Sequence, residues 1–148
     1  MSSTQHTGTR TGHAHPIRGL AGIGLAATLA ATAATTVAAA LARALGVDFE
    51  IPDGGETIPV AGVAVVTGFF SVVGVVIAVG LLRWSARPAE RFVATAASLT
   101  AVSLIPPFLA GADPATVAAL VALHLVAAAV MIPALARALR TRGATAGR

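Results

Sequence analysis

Residues 115–135 read ATVAALVALHLVAAAVMIPAL, an apolar run with one ionisable side chain, His124, near its middle. A helix of about 20 residues, rising about 1.5 Å at each, crosses a hydrocarbon core of about 30 Å. The stretch therefore predicts a membrane-spanning helix. A histidine at that depth is a candidate functional group, because ionisable side chains inside a membrane tend to mark pathways, ligands or partners.

The rest of the chain agrees with a membrane reading. Of 148 residues, 56% are hydrophobic and 11% charged, with a mean hydropathy of +0.85. Soluble domains carry roughly 25% charged residues. The absence of cysteine excludes disulfides, thiolate metal sites and cysteine nucleophiles. All ten basic residues are arginine and the net charge is +4. These arginines stand at the ends of apolar runs and form no aromatic-interleaved patch, so they read as topology signals, with no nucleic-acid partner expected.

Outward from 115–135, three more apolar runs appear, and helices are expected at about 17–45, 58–82, 89–110 and 114–136. Residues 1–16, MSSTQHTGTRTGHAHP, have little to bury and are expected to be disordered. His6, His13 and His15 there could reach a metal ion, but a solvated tail is the favoured reading. The first run is too long for a secretory leader, whose apolar part spans only about 7–15 residues, and is expected to be retained. Its Thr28, Thr32, Thr35 and Thr36 share one helix face. On the second run Ala64, Gly68, Ser71, Val75 and Ala78 form a small-residue stripe suited to close helix packing.

Between the first two runs lies GVDFEIPDGGET, residues 46–57, which carries four of the six acids: Asp48, Glu50, Asp53 and Glu56. Val47, Phe49 and Ile51 alternate with acids and are followed by Pro-Asp-Gly-Gly, which predicts a small hairpin or cap. A cation held by the four acids is conceivable, but their spacing fits no known loop, and an exposed acidic face is preferred. Thr57 is placed to cap the second helix, with Pro59 in its first turn. Farther along, Pro106 and Pro107 deprive the carbonyls of Val102 and Ser103 of their donors, so the third helix should kink. Asp113 and Pro114 read as N-cap and first residue of the fourth, which carries Pro133 near its end; residues 138–148 read as a frayed basic tail.

Four crossings place Arg10, Arg18, Arg83, Arg87, Arg91, Arg137, Arg140, Arg142 and Arg148 on one side against the single acid Glu90. The other side holds Asp48, Glu50, Asp53, Glu56 and Asp113, with Arg43 beside them. Arginine-rich ends stay inside, so a multi-pass protein of the cell membrane is expected, with both termini cytoplasmic and the hairpin extracytoplasmic.

The fold expected is all-α: an antiparallel bundle of four transmembrane helices, up-down-up-down, occupying residues 17–137. No glycine-rich phosphate loop, metalloprotease helix, serine elbow or paired intramembrane carboxylates occur, so no catalytic, cofactor or metal residues are assigned and no enzyme activity is expected. What remains is a polar level. Val102 and His124 lie eleven residues before and after Asp113, beside Ser103, while Thr35 and Thr67 sit at a comparable depth on the first two helices. Thr35, Thr67, Ser103 and His124 are thus the candidate midplane site. His124 there could relay protons, hydrogen-bond a quinone or small substrate, or ligate haem. The structural alternative, which is favoured, has neutral His124 donating to the carbonyl of Val102 or Ser103.

Short stretches also carry a resemblance: Gly46-Val47-Asp48-Phe49, Gly80-Leu81-Leu82, Ser103-Leu104-Ile105-Pro106, Leu123-His124-Leu125 and Ile132-Pro133. Their order resembles an actinobacterial family of small membrane proteins, domain of unknown function 6069, over about residues 20–137. The resemblance implies a four-helix integral membrane protein with an outer loop, and brings no activity or cofactor. The function expected is that of a non-enzymatic membrane subunit acting through packing, as a homo-oligomer or accessory to another membrane protein. The alternative is a small transporter or redox-linked, quinone-binding protein using the level around His124.

Overall fold

A computed structural model describes residues 14–52 and 55–146, with side chains from 17 to 143 among them. The first helix, α1, runs Ala14–Ala44 and is followed by a two-strand hairpin, β1 Glu50–Ile51 and β2 Glu56–Thr57. Then come α2 Val60–Trp84, α3 Pro88–Ser103, the short α4 Ile105–Leu109 and α5 Pro114–Ala146. Among the described residues four segments are long and apolar enough to cross a membrane: Ile17–Ala44, Val60–Trp84, Pro88–Leu109 and Pro114–Gly143. The expected four-span architecture with a hairpin between the first two spans is what the chain adopts.

Local chemistry sets the ends of these elements. Gly46 has φ +94°, and its N–H donates to the carbonyl of Arg43 while that of Val47 reaches back to Ala42, each at 3.0 Å. This glycine-terminated wrap closes α1 and satisfies carbonyls that a helix end leaves open. At the start of α5 the Asp113 carboxylate accepts the N–H groups of Ala115 at 2.8 Å and Thr116 at 3.2 Å. The N-cap expected there is present. The expected cap at Thr57 is not: Thr57 pairs with Glu50 across the hairpin, and α2 starts after Pro59, which supplies no side-chain cap bond. A residue engaged in a strand pair is not free to fold back over a helix that begins beyond it.

The third span breaks at Leu104, between α3 and α4, just ahead of Pro106 and Pro107. In α5, by contrast, Pro133 is absorbed and the helix continues through Ala146, beyond the expected end at residue 136. The frayed tail is therefore corrected to helix as far as Ala146. The reason is packing: Leu135, Ala136, Ala138 and Leu139 are buried, so the packed face of the helix continues past the first arginine, Arg137. Charge marks where a helix leaves the hydrocarbon and does not stop the helix. At the other terminus α1 begins at Ala14, within the expected tail, and residues 1–13, with His6 and His13, lie outside the described residues, as does the side chain of His15.

In the bundle α1 packs on α2 and α5, α3 packs on α5 and α2, and α2 touches α5 across the middle. Apolar side chains gather in two clusters. One, at the end carrying the termini, contains Leu20, Ala78, Phe92, Met131, Leu135 and Leu139. The other, under the hairpin, contains Ala39, Phe49 and Leu123. Between them the α1–α2 seam is small and polar. The stripe on α2 is used there within the chain: a Cβ on Gly68 would stand 3.7 Å from Thr32 Oγ1, and Ser71 and Ala78 are buried.

Candidate functional site

The polar level is built mainly from hydroxyls whose chemistry a helix can absorb. A threonine in a helix can turn its O–H back to the carbonyl of residue i−3 or i−4, and Thr36 does so to Thr32 O at 2.7 Å and Thr100 to Ala96 O at 2.8 Å. Thr35 is the exception in kind. It is 1% exposed, its Oγ1 lies 3.0 Å from Ala31 O and 3.1 Å from Thr32 O, and it also bonds Thr67 Oγ1 on α2 at 3.2 Å.

Ser103 and His124 stay on their own helices. Ser103 Oγ donates to Thr100 O at 2.7 Å. His124 is half-buried, and its Nδ1 lies 2.7 Å from Leu120 O. A carbonyl only accepts, so Nδ1 carries the proton of this bond. The expected bond from His124 to Val102 or Ser103 is thereby replaced by one within α5, to the carbonyl four residues back on the same helix. Of the four candidate midplane residues, the structure joins Thr35 to Thr67 by a hydrogen bond and leaves Ser103 and His124 each bonded locally.

At the hairpin end, Asp48, Glu50 and Glu56 are exposed, and Asp53 lies outside the described residues. Among the described residues no group of three or more histidine and acidic side chains is placed to hold a metal ion. Asp48 and Glu50 instead line an open cleft of about 390 Å³ with Arg43, Val47 and Thr57. Arg43 spans the seam between helix and hairpin, donating through Nη2 to Ile58 O at 2.9 Å.

Phe49, read from the sequence only as one apolar position in an alternation, is the pivot of this end. It has φ +55° and is 1% exposed, packed with Ala39 and Leu123 in the upper cluster. Its carbonyl accepts the N–H of Ile58 at 3.0 Å, which ties the hairpin to the start of α2. The alternation of Val47, Phe49 and Ile51 located the buried face, but no sequence signal announces a left-handed phenylalanine.

At the opposite end arginines predominate. Arg87 Nη1 is 3.5 Å from Glu90 Oε2, with both side chains exposed, and Arg83 lies over the Trp84 ring, 5.9 Å from its centroid. A second open cleft, of about 280 Å³, separates the start of α3 from the end of α5.

Four apolar spans, a hairpin cap and a seam of hydroxyls define a small multi-pass membrane protein. Within that class the chain belongs to a family of unknown function, DUF6069, whose model matches residues 15–141. No curated protein and no solved structure matches it.

Proposed function

We propose that the protein is a non-enzymatic subunit of the bacterial cytoplasmic membrane. It assembles side by side with a second copy of itself through the outward face of α3, with both termini cytoplasmic. The reading is supported by one observation. Leaving aside Thr141 in the arginine-bearing end of α5, the spans expose two hydroxyl side chains, Thr95 and Ser98, and both are on α3.

Around those hydroxyls Ala94, Ala97, Ser98 and Ala101, at i, i+3, i+4 and i+7, form an exposed small-residue stripe. The outward face of α2 is different, with Val65, Val66, Phe69, Phe70 and Val76 exposed, side chains that suit lipid tails. Small residues let helices approach closely in a membrane, and hydroxyls bond across the contact. Because a hydroxyl both donates and accepts, such a face complements a copy of itself about a two-fold axis. The stripe on α2 does not serve this purpose, since α1 of the same chain covers it. Orientation is supported by the arginines gathered at the end carrying the termini and by Asp48, Glu50, Glu56 and Asp113 at the other.

The cysteine-free chain makes the test direct. Ser98→Cys in native membranes is expected to form a disulfide-linked dimer on mild oxidation, and Phe69→Cys is not. Ala97→Leu with Ala101→Leu should abolish the link. Equal cross-linking at both positions, or none at either, would overturn the assembly.

A further inference from the structure

We propose that the cleft between the start of α3 and the end of α5 binds the phosphate of an anionic phospholipid. The proposal rests on the membrane bundle and is independent of assembly through α3. The cleft is lined by Arg87, Pro88, Ala89 and Glu90 from one side and by Leu139 and Arg140 from the other. Leu139 is fully buried and supplies an apolar floor, while Arg87 and Arg140 are exposed at the opening.

The depth of the cleft suits a headgroup. The apolar part of α5 before its first arginine, residues 115–136, is about 33 Å long at about 1.5 Å per residue, enough to cross the hydrocarbon. Arg137 and Arg140 follow directly, and Trp84 with Arg83 marks the same interface at the end of α2. Indoles and guanidinium groups collect at that level.

The charge of the cleft suits an anion. Among the described residues Glu90 is the one acid at this end, and its carboxylate stands against Arg87, so Arg140 across the cleft makes no ion pair there. A phosphate between the two guanidinium groups would satisfy both, since the planar fork of arginine matches phosphate oxygens, and Arg87 can exchange Glu90 for it at little loss because that pair is exposed. Basic pockets between membrane helices at this level are recognised lipid sites.

Native mass spectrometry on the full chain, released from nanodiscs of phosphatidylglycerol or phosphatidylcholine, tests the proposal. Wild type should retain phosphatidylglycerol in preference to phosphatidylcholine. Arg87→Ala with Arg140→Ala should weaken that retention about thirtyfold, each arginine near an anionic surface being worth about a fivefold change. Arg18→Ala with Arg83→Ala, an equal loss of charge outside the cleft, should leave most of it. The cleft is overturned as a lipid site if wild type shows no preference, or if the two double variants lose equally. It is also overturned if inorganic phosphate alone binds as well as the lipid.

Discussion

The hydroxyl oxygens of Thr35 and Thr67 are 3.2 Å apart across the seam between α1 and α2. Hydrogen bonds of this kind inside membrane proteins average about 0.6 kcal/mol, because unfolded helices in the bilayer also find partners. Thr67→Val keeps the shape and removes the bond, so it should lower stability by about that amount. A double-mutant cycle with Thr35→Val, followed by reversible unfolding in mixed micelles, should return a coupling of similar size.

The same seam is closed by a glycine. A Cβ on Gly24 would stand 2.7 Å from Val75 Cγ2 and 2.8 Å from Cγ1, whereas one on Gly68 would meet Thr32 Oγ1 at an ordinary 3.7 Å. Alanine favours a helix over glycine by about 1 kcal/mol. Overpacking reverses that sign, so Gly24→Ala should destabilise by about 1–3 kcal/mol. Gly68→Ala should be neutral or mildly stabilising. Thermal midpoints in one detergent check both, and Val75→Ala should restore the Gly24 variant.

His124 carries less of the fold than its position suggests. Its ring bonds the Leu120 carbonyl on the same helix, so replacing it with leucine breaks no bond between helices. The expected loss is within about 1 kcal/mol, the net worth of one hydrogen bond. Hydrogen exchange over residues 105–113 should be unchanged. A loss several times larger would show that the imidazole holds something outside α5.

These outcomes mark how far the sequence can be read. Span number, the hairpin, the Asp113 cap and the break before Pro106 were all legible, because each follows from chain-local chemistry: hydrophobic length, strand alternation, a carboxylate before a helix, a missing N–H. Thr35 and Thr67 were legible as a pair at one depth, since rise per residue fixes depth. Partner choice was not. Depth says which groups are level and nothing about azimuth, so Ser103 and His124 were grouped with a seam to which neither is hydrogen-bonded. The length of α5 was hidden for a related reason, because Arg137 and Arg140 mask the buried Leu135 and Leu139 beside them.

Asp113 gives the bundle a pH dependence. The neighbouring Thr116 side chain first, and then the backbone N–H groups of Thr116 and Ala115, hold its carboxyl below the ordinary value of 3.8. A carboxylate with a lowered folded pKa binds fewer protons in the folded state, so its stabilisation is complete above the ordinary value. It fades as pH falls through the lowered one. Asp113→Asn keeps a capping oxygen and has no proton to gain. Acid unfolding curves should therefore differ: the wild type loses this contribution on acidification below 3.8, and the variant shows no matching component.

Phe49 joins two opposed effects in one residue, and small substitutions should separate them. Its side chain is 1% exposed and holds the hairpin on Ala39 and Leu123, while its backbone sits at φ +55°, where a Cβ costs about 1–2 kcal/mol. Phe49→Ala removes the buried ring and keeps the Cβ, and should destabilise by about 3 kcal/mol or more. Phe49→Gly removes the ring as well but relieves the backbone, since glycine enters the left-handed region freely. In a helix or strand the glycine variant would be the weaker of the two. Here it should be the stronger by about 1 kcal/mol, and limited proteolysis at residues 50–57 should cut the alanine variant faster. The opposite order would place the hairpin backbone in a conformation other than the left-handed one.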